Sequence, residues 1–179
     1  MNKLSLNELL TLFDSRQKLT ANAIILEFSE TFFEISGSAT KHQVWPDGYI
    51  SHLEETMNIA RTLFQTLNSL RPLEFSESDA LFTLFLHDTD KLFRHSIQNG
   101  KIVQTLTHDE AQQKFFAMLE TQWNYTPSQQ EQNALQYVHG EGADYHPTKR
   151  VMQPLAAFIH CCDIISARIW FNFGKEHDS

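Results

Sequence analysis

The 179 residues include only two cysteines, and they are neighbours, Cys161 and Cys162. Adjacent side chains on a helix point in different directions and rarely bridge, so a disulfide framework is excluded and a reducing compartment is expected. Positive charge is scarce as well. Fourteen Lys and Arg stand against 22 Asp and Glu, a formal net charge of −8. The global positive field that would hold a long nucleic acid is therefore missing. No window approaches the roughly 20 apolar residues of a membrane span. The opening MNKLSLNELLTLFDSRQ lacks the uninterrupted apolar stretch of a signal peptide. The composition reads as a soluble, cytoplasmic protein with no membrane partner, free of repeats and low-complexity tracts.

Hydrophobic residues make up 41% of the chain, with 14 Phe, enough to form a real core. Apolar spacing predicts helices over about 5–14, 18–36, 49–70, 77–92, 108–123, 126–139 and 152–172. Ser5 with Glu8 and Thr107 with Glu110 have capping-box spacing, Ser76 and Asp79 open the fourth helix, and Asp47 is a candidate cap for the third. Asn99-Gly100, between Ile97-Gln98 and Lys101-Ile102-Val103, predicts a short hairpin. The expected architecture is all-α, a single domain over residues 1–179 with one small β-hairpin.

Chemistry enters in the run LFLHDTDKL, residues 84–92. It begins as apolar helix and suddenly carries His87, Asp88, Asp90 and Lys91. Asp163 has the same problem in LAAFIHCCDIISARIWF, apolar nearly all round. A buried carboxylate requires a cation or a partner. A divalent ion shared by His87-Asp88 and Asp163 would satisfy both. Asp163 also has ordinary candidate partners in Arg168 and His160.

The order His52, His87-Asp88, Asp163 resembles the HD-domain metal-dependent phosphohydrolases. The contexts that carry the resemblance are YISHLEETMNIARTL, LFLHDTDK and CDIISAR, spanning roughly residues 45–170 and leaving residues 1–40 as an N-terminal helical addition. The resemblance implies an HD-type helical bundle. Some members hold two metals and place two further histidines between the doublet and the last aspartate; here His108 and His139 fall in that interval. The implied metal set is His52, His87, Asp88, His108, His139 and Asp163, with Asp88 bridging, because a carboxylate has two oxygens to share.

Imidazole-rich ligation suits Mn, Fe, Co, Ni or Zn, one or two ions per chain. Two ions add +4 to the −2 of the two carboxylates, a locally positive site inside an acidic protein and a fit for phosphate. Bound water ionises near pH 7 rather than at about 15.7, which provides hydroxide. Asp88 and Lys91 are the expected catalytic residues. Lys91 stands four after His87 and three after Asp88, on one helical face, in the His-Asp-x-x-Lys pattern of many HD proteins. Trp45, His146, Lys149 and Arg150 are the expected substrate contacts: Trp45 by stacking on a base, the others from the loop after His139. His42, His95 and His177 are expected at the surface, and Cys161 and Cys162 in packing. The expected substrate is a small nucleotide or a related phosphoester or phosphoanhydride. An HD-fold di-iron oxygenase and a metal-stabilised binding domain without turnover are the two rival readings, and oligomeric state is left open.

Overall fold

The computed structural model describes residues 2–38 and 42–169. The expected end of the last helix beyond Ile169, and His177 with it, lie outside these residues. Among them the protein is built of helices and one hairpin. Helix α1 (Leu6–Leu9) runs into a 3-10 turn (Leu10–Leu12) and is followed by α2 (Ser15–Glu27) and α3 (Ser29–Phe32). The long α4 (Gly48–Leu70) leads to α5 (Glu77–Leu86) and the short α6 (Asp90–Arg94). Next comes the hairpin of β1 (His95–Gln98) and β2 (Lys101–Gln104). Helices α7 (His108–Thr121), α8 (Gln129–Tyr137) and α9 (Pro154–Ile169) complete the chain. No helix among the described residues is long and apolar enough to cross a membrane.

The caps explain most of the boundaries. Ser5–Glu8, Ser76–Asp79 and Thr107–Glu110 all form the reciprocal bonds of a capping box. Two more, Asp14–Gln17 and Ser128–Glu131, start α2 and α8. These correct the sequence reading at both places. The second helix begins at Ser15 rather than near 18, and the sixth begins after Ser128, with Thr126-Pro127 leading into it. The region 18–36 is also not continuous, since the chain leaves helical geometry at Phe28 and re-enters a single turn in α3. Asp47 precedes α4 but makes no side-chain cap bond, and its φ is 62°. The hairpin has the expected register, Ile97 opposite Ile102, with Asn99 and Gly100 both at positive φ, as a type I′ turn requires.

The most consequential departure is in the expected helix 77–92. It stops at Leu86 and resumes at Asp90. Residues 87–89 turn through three-residue bonds, Thr89 N–H to Leu86, Lys91 N–H to Asp88 and Leu92 N–H to Thr89 carbonyls. In that tighter winding residues i and i+3 eclipse. Asp88 and Lys91 therefore still meet, although the two do not lie on one α-helical face.

Helix α4 packs on α5 and α9, and α8 packs on α9. A single cluster of buried side chains runs through all these helices and includes Leu6, Leu9, Phe13, Ile24 and Phe32 from the N-terminal segment. Phe32, Tyr49, Phe82 and Phe85 lie within it as edge-on and stacked aromatic neighbours. The loop before α4 folds tightly against itself: Gly37 N–H donates to the Gln43 carbonyl at 2.8 Å. A Cβ on Gly48 would lie 2.0 Å from that same Gln43 oxygen. Gly48→Ala is expected to lower unfolding free energy by at least about 2 kcal/mol, because the collision is with backbone. Urea unfolding checks this; an unchanged midpoint would show that the loop yields freely.

Candidate metal centre

Three elements bring the centre together. His52 comes from the second turn of α4, His87 and Asp88 from the break after α5, and Asp163 from the middle of α9. His52 is fully buried, and His87, Asp88 and Asp163 are at most 9% exposed. Nε2 of His52 lies 3.2 Å from Asp163 Oδ1 and 3.6 Å from Asp88 Oδ2. Nε2 of His87 lies 3.4 Å from Asp88 Oδ2 and 3.8 Å from Asp163 Oδ1. Ligand atoms of His52, His87 and Asp163 all fall within 4.8 Å of one another. Ligands bound at roughly 2.0–2.2 Å around a tetrahedral ion stand about 3.3–3.6 Å apart, so these separations suit a coordination sphere.

The hydrogen bonds decide which imidazole nitrogens face inward. His52 Nδ1 is 3.0 Å from Ser166 Oγ, and Ser166 Oγ donates to Glu55 Oε2 at 2.5 Å. The same Glu55 oxygen accepts from Gln43 Nε2 at 2.7 Å. With its proton given to Glu55, the Ser166 hydroxyl accepts from His52 Nδ1–H, which leaves Nε2 as a lone pair. His87 Nδ1 donates to the Leu84 carbonyl at 2.5 Å and leaves its Nε2 in the same state. Both Nε2 atoms are buried without a hydrogen-bond partner. Two orphaned lone pairs aimed at carboxylate oxygens repel them unless a cation lies between. Imidazoles oriented by a hydrogen bond at the other nitrogen are the usual preparation for metal ligation. The buried group of His52, His87 and Asp163 can hold a metal ion.

Electrostatics agree with a neutral His52 and ionised carboxylates. Burial lowers His52 from 6.5 to about 4. Burial opposes ionisation of Asp88, but the groups around it together, the Lys91 ammonium foremost, hold the carboxyl well below the usual range. Asp163 is also held low, against burial, by its bond with His139. Lys91 Nζ bonds both Asp88 Oδ2 and the Gly37 carbonyl oxygen. The loop before α4 thus fixes the lysine that is paired with Asp88.

The other expected residues divide clearly. His139 stands beside the group, with Nδ1 3.4 Å from Asp163 Oδ2 and its ring 6.4 Å from that of His87; the Asp163 contact raises its pKa. His108 is not brought into the group. Its Nδ1 is 2.9 Å from Asp90 Oδ2, and both residues line a small cavity that His87 and His139 also border. His146, Lys149 and Arg150 are exposed and make no hydrogen bond or ion pair with the centre; His146 instead accepts from Thr148 N–H. Trp45 is half-buried, likewise without such a contact to the centre. Arg168 is exposed, so Asp163 has no partner there.

Several contributors were not singled out by sequence reasoning. His42, expected at the surface, packs its ring 4.7 Å from that of His52. His95, also expected outside, is half-buried with Nδ1 bonded to the Lys91 carbonyl at 2.8 Å. Gln43, Glu55 and Ser166 are polar residues in unremarkable sequence contexts, and no spacing rule distinguishes them. His160, a candidate partner of Asp163 by sequence, instead bonds the Val138 carbonyl at 2.6 Å and so fixes the chain next to His139. Cys162 is buried, but Cys161 is exposed and is not a packing residue.

The chain matches no protein-family model, no curated protein and no solved structure. The functional argument therefore rests on the residues themselves.

His52 gives the centre a pH signature. Between about 4 and 6.5 the unfolded chain binds a proton at this position that the native state refuses. Stability of the metal-free protein is thus expected to fall as pH drops through this window, by on the order of 3 kcal/mol from His52 alone. Denaturant titrations at several pH values would measure it. His52→Gln should flatten the slope, and an equal slope in that variant would refute the assignment.

Proposed function

We propose that this chain is a metal-dependent phosphohydrolase of the HD type, acting on a small nucleotide or a related phosphoester or phosphoanhydride. The observation that carries the reading is the pair of buried, unpartnered Nε2 atoms of His52 and His87 facing Asp88 and Asp163. The order of these four residues along the chain, and the lysine three after Asp88, add to it. His52, His87 and Asp163 would hold the ion, with Asp88 joining from the Lys91 side.

When bound, a divalent transition metal supplies a hydroxide at neutral pH and polarises a phosphoryl oxygen. The protein's own groups do the rest. Ser166 and Glu55 keep His52 in one tautomer. The Leu84 carbonyl does the same for His87. Lys91 has three N–H donors; Asp88 and Gly37 take two. The third is left for a phosphoryl oxygen, where a fixed positive charge stabilises charge developing on the transferred group. His139, exposed and beside Asp163, is placed to exchange a proton with a leaving oxygen.

The test pairs metal analysis of the purified protein with phosphate release from a panel of nucleotides. At least one transition metal per chain is expected, with turnover lost in Asp163→Asn together with the metal. Lys91→Ala should retain the metal and lose about 10²–10³-fold in kcat. His108→Ala should leave the core ion in place. If it loses one of two ions, His108 leaves Asp90 to help hold a second metal, as the resemblance implies. Iron content with oxygen uptake and no phosphate release would overturn the proposal in favour of an oxygenase. A metal-loaded protein inert toward every substrate would favour a binding domain.

A further inference from the structure

We infer that Glu55 is a positioning residue with two arms: one oxygen of its carboxylate fixes the tautomer of His42 as well as that of His52, and His42 thereby presents a hydrogen-bond acceptor beside the candidate metal centre. Glu55 Oε2 accepts from Ser166 Oγ at 2.5 Å and from Gln43 Nε2 at 2.7 Å. Burial raises the pKa of Glu55, while both hydrogen bonds to Oε2 favour its ionised form. Ser166 and Gln43 are buried, at 0% and 3% exposure. The Ser166 hydroxyl has one proton, which it gives to Glu55, and two lone pairs. Gln43 Nε2 at 3.4 Å and His52 Nδ1 at 3.0 Å are the donors to these. This first arm accounts for His52.

The second arm runs through the Gln43 amide. Its nitrogen faces the carboxylate, because a reversed amide would set two oxygens 2.7 Å apart. The amide oxygen is therefore turned to His42 Nδ1, at 2.5 Å. A carbonyl oxygen only accepts, so Nδ1 carries the proton and neutral His42 keeps its lone pair on Nε2. The His42 ring is half-buried, with its centre 4.7 Å from that of His52 and within electrostatic reach of Lys91, Asp88 and Asp163. Gln43 holds this position at a φ of 41°, a left-handed geometry that a residue other than glycine adopts only at a cost. Both ends of its amide are engaged, one toward each arm. Under the hydrolase reading, on which this consequence rests, His42 accepts from a substrate hydroxyl or amine or from a water. It disfavours an ionised phosphoryl oxygen, which is left to Lys91.

NMR of the metal-free protein with 15N-labelled histidine tests the two arms at pH 8, above the ordinary histidine pKa of about 6.5. A bare ring nitrogen resonates far downfield of a protonated one, so each tautomer is read directly; His42→Asn and His52→Gln assign the signals. Both residues should carry the proton on Nδ1. Ser166→Ala should move the bare-nitrogen signal of His52 from Nε2 to Nδ1, since a proton on Nε2 would meet Asp163 Oδ1 at 3.2 Å, and should leave His42 unchanged. Gln43→Met should release His42 toward the Nε2–H form that a free imidazole prefers. Glu55→Met should release both, and if that variant fails to fold the two single-arm variants decide. His42 protonated on Nε2 in the unaltered protein, an arm variant that leaves its own imidazole unchanged, or a folded Glu55→Met that shifts only one of the two would each overturn the inference. No metal is bound and no turnover is measured, so a failure here is distinct from a failure of the hydrolase reading.

Discussion

Two ionised carboxylates, Asp88 and Asp163, are buried opposite two imidazole lone pairs, and this arrangement constrains everything around it. Isolated, it would be untenable, because a buried ion without compensation costs several kcal/mol. The molecule compensates part of it with its own groups. Lys91 neutralises Asp88, and His139 leans on Asp163. What remains, the pair of unpartnered Nε2 atoms, is the part that a metal ion fits.

Around this centre the fold supplies rigidity in layers. The His and Asp residues of the centre ride on α4, α9 and the break after α5, and α4 packs on both of the other helices. Behind His52 runs a relay of Ser166, Glu55 and Gln43, which joins α4, α9 and the preceding loop. The same loop grips Lys91 through the Gly37 carbonyl. Its own tight path depends on two glycines, since a Cβ on Gly37 or Gly48 would strike the Gln43 region. Loop, lysine and carboxylate are thus mechanically linked. Gly48, Gln43, Gly37, Lys91 and Asp88 form one continuous chain of contacts.

Much of the fold was legible because local rules act over a few residues. Capping boxes, the Asn99-Gly100 turn and the 3.6-residue apolar period all operate within one element. His87-Asp88 and Asp163 were legible for a related reason, since they interrupt apolar helices where charge has no local justification, whereas His52 was reached only through the resemblance. What remained hidden was non-local. Nothing in its own neighbourhood marks Ser166 as the partner of His52, 114 positions away. His108 and His146 have plausible spacing, yet one turns to Asp90 and the other to its own loop. His42 looked like a surface residue because the ring it packs against, that of His52, belongs to a different element.

By itself, the sequence determined the helical class, the hairpin and the presence of a buried His-Asp set that demands compensation, since each follows from periodicity, capping or the cost of desolvation along one segment. The tertiary structure alone decided which imidazole nitrogens face the centre, that the helix breaks at the doublet, and which histidines stand apart. Those outcomes depend on which hydrogen-bond partners other elements bring within about 3 Å. A linear pattern records residue types, but not where the chain returns in space.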